Sequence, residues 1–168
     1  IITDAVTAGV YTSGTTMTIS GGTISGTVPM AIYGCNSSNL TIDGVTIKEG
    51  VSSGVLLLAS KATIKNNTIN NPKIGISITD SSDQCDLSNN VITGATDNSV
   101  AIKNSTVKSV GDKISTSGNS GIEAVGSNII LTDCIITDAV TAGVYSSEAT
   151  SVRRGGTMRG SVRRAIYG

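Results

Sequence analysis

Histidine, tryptophan and phenylalanine are absent from this sequence of 168 residues, and its only aromatics are four Tyr. Without His there is no imidazole base, no imidazole metal ligand and no Ser-His-Asp or Cys-His arrangement. Cysteine is scarce too. Cys35, Cys85 and Cys134 are odd in number, widely spaced and form no CxxC pair. That argues against a disulfide framework or a zinc site and leaves them as small fillers or turn residues. No run of 18 apolar residues is present, so no membrane-spanning helix is expected. Twelve Lys and Arg balance twelve Asp and Glu. Zero net charge makes neither nucleic acid nor an acidic membrane surface an expected partner. The first residues carry no Met and no leader pattern, so they say nothing about compartment. The length suits one domain with a sizeable core.

What the chain does have is a period. Ile recurs at 2, 24, 47, 69, 92, 114 and 136, and Met158 continues the series. A second column follows about eight residues later: Val10, Ile32, Val55, Ile76, Val100, Ile122, Val144 and Ile166. The residue before each of these is Gly, Ala or Ser. A third column is Ile19, Ile42, Ile64, Leu87, Ser109, Leu131 and Arg153, with Met17, Leu40, Ala62, Cys85, Val107, Ile129 and Ser151 two residues earlier. Each repeat of 22 or 23 residues contains short stretches of period-two alternation, the pattern of strands with one buried face. Three strands per repeat leave no room for a long helix. Gly, Asn and Asp punctuate the turns, as in Gly21-Gly22, Asn66-Asn67, Asn89-Asn90 and Gly111-Asp112. These residues tolerate left-handed backbone angles, and stacked Asn side chains can bond to the neighbouring coil. One coil cannot bury its own apolar face, whereas a stack of coils builds a continuous core. The expectation is a single all-β solenoid domain over residues 1–168, with about 7.5 coils. At a rung spacing of about 4.8 Å it makes a rod of roughly 35 Å.

The coil length, the three strands, the inward Ile ladder and the Asn-containing turn resemble the right-handed parallel β-helix of the pectate-lyase-like fold. The resemblance is one of architecture and covers the whole chain. It implies a natural parent that is extracellular, in a fold shared by polysaccharide lyases, glycoside hydrolases, phage tailspikes and surface proteins. Fold alone does not choose among these. In this register Cys85 is a core filler rather than a nucleophile.

A second repeat overlies the first. Residues 1–34 recur as residues 135–168 with 22 of 34 positions identical, at an offset of 134 residues or six coils. Recent duplication or deliberate engineering accounts for such near-identity confined to the two ends. All five Arg (Arg153, Arg154, Arg159, Arg163, Arg164) lie in the last 16 positions, replacing Ile19, Ser20, Ser25, Pro29 and Met30 of the first copy. Charges at the open end of a stack oppose edge-to-edge growth, so these five are read as end-capping. The opposite end presents Ile2, Val6, Val10, Met17 and Ile19 with no charged cap. These five are read as a self-association surface, making a homo-oligomer through the solenoid ends the expected assembly.

Catalytic and binding candidates are few. Polysaccharide-cleaving relatives of this fold place carboxylates and basic residues along one sheet. Here the column outside the Ile ladder (Thr3, Ser25, Lys48, Asn70, Thr93, Ser115, Thr137, Arg159) holds no acid. The next column offers Asp4, Glu49 and Asp138 on non-adjacent coils. Paired carboxylates about 5–9.5 Å apart are what glycoside hydrolysis needs, and this pattern supplies none. Asp80, Asp83 and Asp86 form the densest acidic group, in a Ser-rich loop. Calcium prefers six to eight oxygens, so an ordinary turn with exposed acids is the preferred reading. Tyr11 with Tyr33, and Tyr145 with Tyr167, fall one coil apart as short ladders, too few for a sugar platform. No catalytic residue, cofactor or metal ligand is assigned. The leading reading is a non-enzymatic, engineered repeat scaffold. The alternative is a carbohydrate-binding or polysaccharide-cleaving fragment of an extracellular β-helix protein.

Overall fold

The computed structural model describes residues 1–159 together with the backbone of residues 164–167. Each coil runs through three short strands, and corresponding strands of successive coils pair in parallel to form three sheets. The first sheet opens with Ile2–Thr3, the second with Ala8–Ser13 and the third with Thr16–Ser20. Strands Thr157–Arg159 and Arg164–Tyr167 add an eighth rung to the first two sheets, giving seven coils and part of another. Numbered by rung, the coils begin at residues 1, 23, 46, 68, 91, 113, 135 and 157. The fold is a parallel β-solenoid, as the periodicity predicts.

Register follows the apolar columns. In the first sheet Ile2 pairs with Ile24, Ile69 with Ile92, Ile114 with Ile136 and Ile136 with Met158. In the second sheet Val10 pairs with Ile32 and Ile122 with Val144. In the third, Ile19 pairs with Ile42 and Leu131 with Arg153. A one-residue slip would turn each of these side chains from core to water, so the pattern admits one register. Ile47, Ile69, Ile76, Ile92, Ile114 and Ile122 are fully buried, and one cluster of buried side chains runs from Ile24 to Val144. Each such burial contributes about 1.5–3 kcal/mol.

The small residue that precedes every second-sheet core position also has a steric cause. A Cβ on Gly54 would lie 2.5 Å from Gly75 O and 2.9 Å from Ile69 Cγ2. The first-sheet ladder needs that space, so the column holds only Gly, Ala and Ser.

Candidate functional site

The corner joining the second and third sheets departs most from regularity. Val55 and Ala62, the core positions that flank it in coil 3, are seven residues apart, as are their counterparts in coils 1, 5, 6 and 7. Coil 2 spends eight residues, Ile32 to Leu40, and coil 4 spends nine, Ile76 to Cys85. The corner is turned by residues with left-handed φ: Asn36 and Ser37 in coil 2, Ala59 in coil 3, Asp80 in coil 4 and Asn104 in coil 5. Their amides feed the next rung, with Ala59 N–H on Thr79 O at 2.9 Å and Asp80 N–H on Lys103 O at 3.0 Å.

Behind these turns lies a column of buried serines: Ser38, Ser60, Ser81, Ser105 and Ser127. Ser60 Oγ accepts the Ser38 N–H at 3.2 Å and donates to Leu58 O at 3.0 Å. Ser105 Oγ accepts the Ser81 N–H at 3.0 Å, and Ser127 Oγ accepts the Ser105 N–H at 3.2 Å. The ladder satisfies buried backbone groups that the corner takes out of the sheets. Ser81 keeps its place in it, so the additional residues of coil 4 are pushed outward. Ser82, Asp83 and Gln84 are exposed.

This bulge separates two surface depressions. One, of about 260 Å³, lies between the bulges of coils 2 and 4 and is lined by Ser37, Asn39, Lys61, Ser82 and Asp83 among others. The second, of about 280 Å³, continues on the other side with Ser82, Asn104, Thr106 and Asn128. Asn104 Nδ2 donates to Asp80 Oδ1 at 2.8 Å, and Gln84 Nε2 to Asp86 Oδ1 at 2.6 Å. Gln84 and Asp86 border a separate depression, and the lining of the trough itself offers hydroxyl, amide, ammonium and carboxylate groups through Ser82, Asn104, Lys61 and Asp83.

A second polar column lines the corner from the third sheet to the first. Asn90 Oδ1 accepts both the N–H of Asn67, at 3.1 Å, and its Nδ2, at 3.0 Å. Asp112 Oδ1 treats Asn90 in the same way, at 2.7 and 2.9 Å. Asp112 Oδ2 accepts from Ser109 Oγ. Burial pushes the Asp112 carboxyl above its usual range, and the bonds from Ser109 and Asn90 offset this in part. Burial likewise pushes the Cys85 and Cys134 thiols up, the setting of unreactive cysteine. All three cysteines are free and buried.

Residues 1–111 match the family described as "Right handed beta helix region". The chain belongs to that family. A search of curated protein sequences finds no match.

On this right-handed β-helix the residues singled out from the sequence scatter rather than converge. Asp86 points outward beside buried Cys85 and Leu87, as its register requires. Asp4 Oδ1 accepts the Thr27 N–H at 3.1 Å, a structural bond between coils. No group of three or more His, Cys, Asp or Glu is gathered to hold a metal among the described residues, and no described helix is long and apolar enough to cross a membrane. The Tyr11 and Tyr33 rings are 5.5 Å apart and tilted by 55°; Tyr145 and Tyr167 pair in register, the Tyr167 side chain lying outside the described residues.

Arg153, Arg154 and Arg159 are exposed on the last rungs. Arg164 pairs with Ala142 through its backbone, its side chain lying outside the described residues, as does the whole of Arg163. At the other end Ile2, Val10, Met17 and Ile19 are half-buried, and Ile2, Val10 and Ile19 border an apolar hollow of about 170 Å³. Val6 is 92% exposed, but its counterpart Val140, with a coil beneath it, is still 53% exposed. Val6 therefore points outward from the corner rather than into the stack. Sequence reading missed the serine ladder and the trough. The recurrence of Ser at 38, 60, 81, 105 and 127 and the lengthened corners of coils 2 and 4 were the available signals.

Proposed function

We propose that this chain is a non-catalytic β-helix scaffold that binds carbohydrate in the trough beside the Ser82–Asp83 bulge. The observation that carries the reading is the pairing of two lengthened corners, in coils 2 and 4, around Lys61 of coil 3. The added residues build no core and form polar walls instead. Sugar hydroxyls both donate and accept hydrogen bonds, and Ser37, Asn39, Lys61, Ser82 and Asp83 offer both kinds of partner. The polysaccharide-acting proteins to which the coil pattern is similar also support it. Binding rather than cleavage is favoured because Asp83 is the one carboxylate lining the larger walls of the trough, while hydrolysis uses a pair. In the same reading the near-identical end coils are a copied extension of the scaffold, as in an engineered array.

The test is titration of the full chain with neutral and acidic oligosaccharides, followed by calorimetry and by amide chemical shifts. Saturable shifts at residues 37–39, 59–61 and 82–83, weakened at least tenfold by Lys61→Ala with Asp83→Ala, are expected. Absence of binding across the panel would overturn the proposal. Release of new reducing ends or unsaturated products would replace binding with cleavage.

A further inference from the structure

The first eleven residues, 1–11, are identical to residues 135–145, whereas the later parts of the two end segments differ at about half their positions. The conserved stretch is the one that coil 7 lays on coil 6. There Ile136 pairs with Ile114, Ala139 with Ser117, Ala142 with Ser120, Val144 with Ile122 and Tyr145 with Glu123. The Ile135 N–H reaches Asp112 O at 2.9 Å, Val140 N–H reaches Ser117 O at 3.0 Å and Thr141 N–H reaches Asn119 O at 2.9 Å. Gly121 of coil 6 has no Cβ where Ile136 Cγ2 and Gly143 O approach. Residues 1–11 carry the same side chains and the same donors.

From this we infer that residues 1–22 of a second copy and residues 135–156 of the same chain are alternative occupants of one edge, presented by residues 112–134. The C-terminal coils are then an intramolecular plug that holds the chain back from head-to-tail stacking. The third sheet argues for the second copy as the competing occupant. Coil 7 places Ser151 and Arg153 on Ile129 and Leu131. Coil 1 would place Met17 and Ile19 there and bury more apolar surface. Against that, the plug is tethered, and a short tether holds it at an effective concentration on the millimolar scale. At micromolar protein the plug prevails. Once it is weakened, the complementary ends join by a heterologous contact that does not close, the geometry of a filament.

The experiment uses the full chain. Ile136→Asp with Val144→Asp weakens the plug, and sedimentation velocity with circular dichroism reads the result. Concentration-dependent oligomers that keep the β-sheet signal are expected, and adding Ile2→Asp with Val10→Asp should return them to monomer. A folded monomer in the first variant, or oligomers that survive the second pair, would overturn the inference. If the first variant loses its β-sheet signal, the unaltered plug decides the matter. Chains carrying Ala5→Cys are mixed at rising concentration with chains carrying Ser117→Cys under oxidising conditions. A dimer that needs both new thiols supports exchange at this edge, and its absence up to millimolar protein overturns it.

Discussion

Arg153 occupies, with its guanidinium, the position of a backbone donor from another coil. Its Nη2 donates to Gly156 O at 2.8 Å, and its Nε donates to Gly155 O at 3.0 Å. The counterpart of Gly156 in the first copy is Gly22, whose carbonyl takes the Thr46 N–H of coil 3 at 2.9 Å. The substitution of Ile19 by Arg153 thus removes an apolar rung from the third sheet and satisfies a turn carbonyl with the same side chain.

Reverting the Arg set to its first-copy residues (Arg153→Ile, Arg154→Ser, Arg159→Ser, Arg163→Pro, Arg164→Met) is expected to promote higher oligomers. Charge that opposes pairing at the outer edge of the last rungs is lost, which favours stacking there even though Ile at 153 would hold coil 7 more firmly on Leu131. Sedimentation velocity across a concentration series checks this, and a distribution identical to that of the parent chain would refute it.

Position in the stack should grade the cost of deleting an apolar side chain. Ile69 is fully buried between Ile47 and Ile92, so Ile69→Ala should destabilise by about 2–5 kcal/mol. Ile2 is half-buried and pairs with Ile24 alone. Ile2→Ala should cost about 1 kcal/mol. Urea unfolding of both variants gives the comparison.

The buried carboxyl of Asp112 makes stability depend on pH. Its native pKa lies above the ordinary value of about 3.9. Between those two values the native state binds more protons than the unfolded state, so this group's contribution falls as pH rises through the window. Asp112→Asn keeps the acceptor for Asn90 without the buried charge and should be stabilising at pH 7. The gain should vanish as pH falls below about 3.9, where the carboxyl is neutral in both states. Paired denaturation curves at neutral and acid pH measure it, and a gain that is constant with pH would contradict this account.

Within the serine ladder, Ser60→Ala removes the acceptor of a buried N–H, that of Ser38. The expected cost is about 1–3 kcal/mol. Ser82→Ala, on the exposed bulge, should stay within about 0.5 kcal/mol of the parent. Thermal unfolding separates the two, and equal effects would place Ser60 outside any structural role.

Period and alternation by themselves determined the architecture. Three apolar columns at a 22- or 23-residue repeat can bury their faces only by stacking, and that requirement sets the parallel register of Ile69 on Ile47 and of Val55 beneath Ile76. The inward place of Cys85 and the outward place of Asp86 follow from the same alternation. The corners were decided by tertiary structure. Asn66 and Asn67 are adjacent and chemically identical, yet Asn66 turns the chain at φ 57° and is exposed while Asn67 is buried in a ladder. The same holds for Ser81 and Ser82, one under the turn and one on the bulge. A polar residue at a bend has no hydrophobic pattern to orient it. Its side follows from the left-handed residue before it and from the amide of the neighbouring coil that it must satisfy. The trough, which depends on how two lengthened corners align across coil 3, exists only once the coils are stacked.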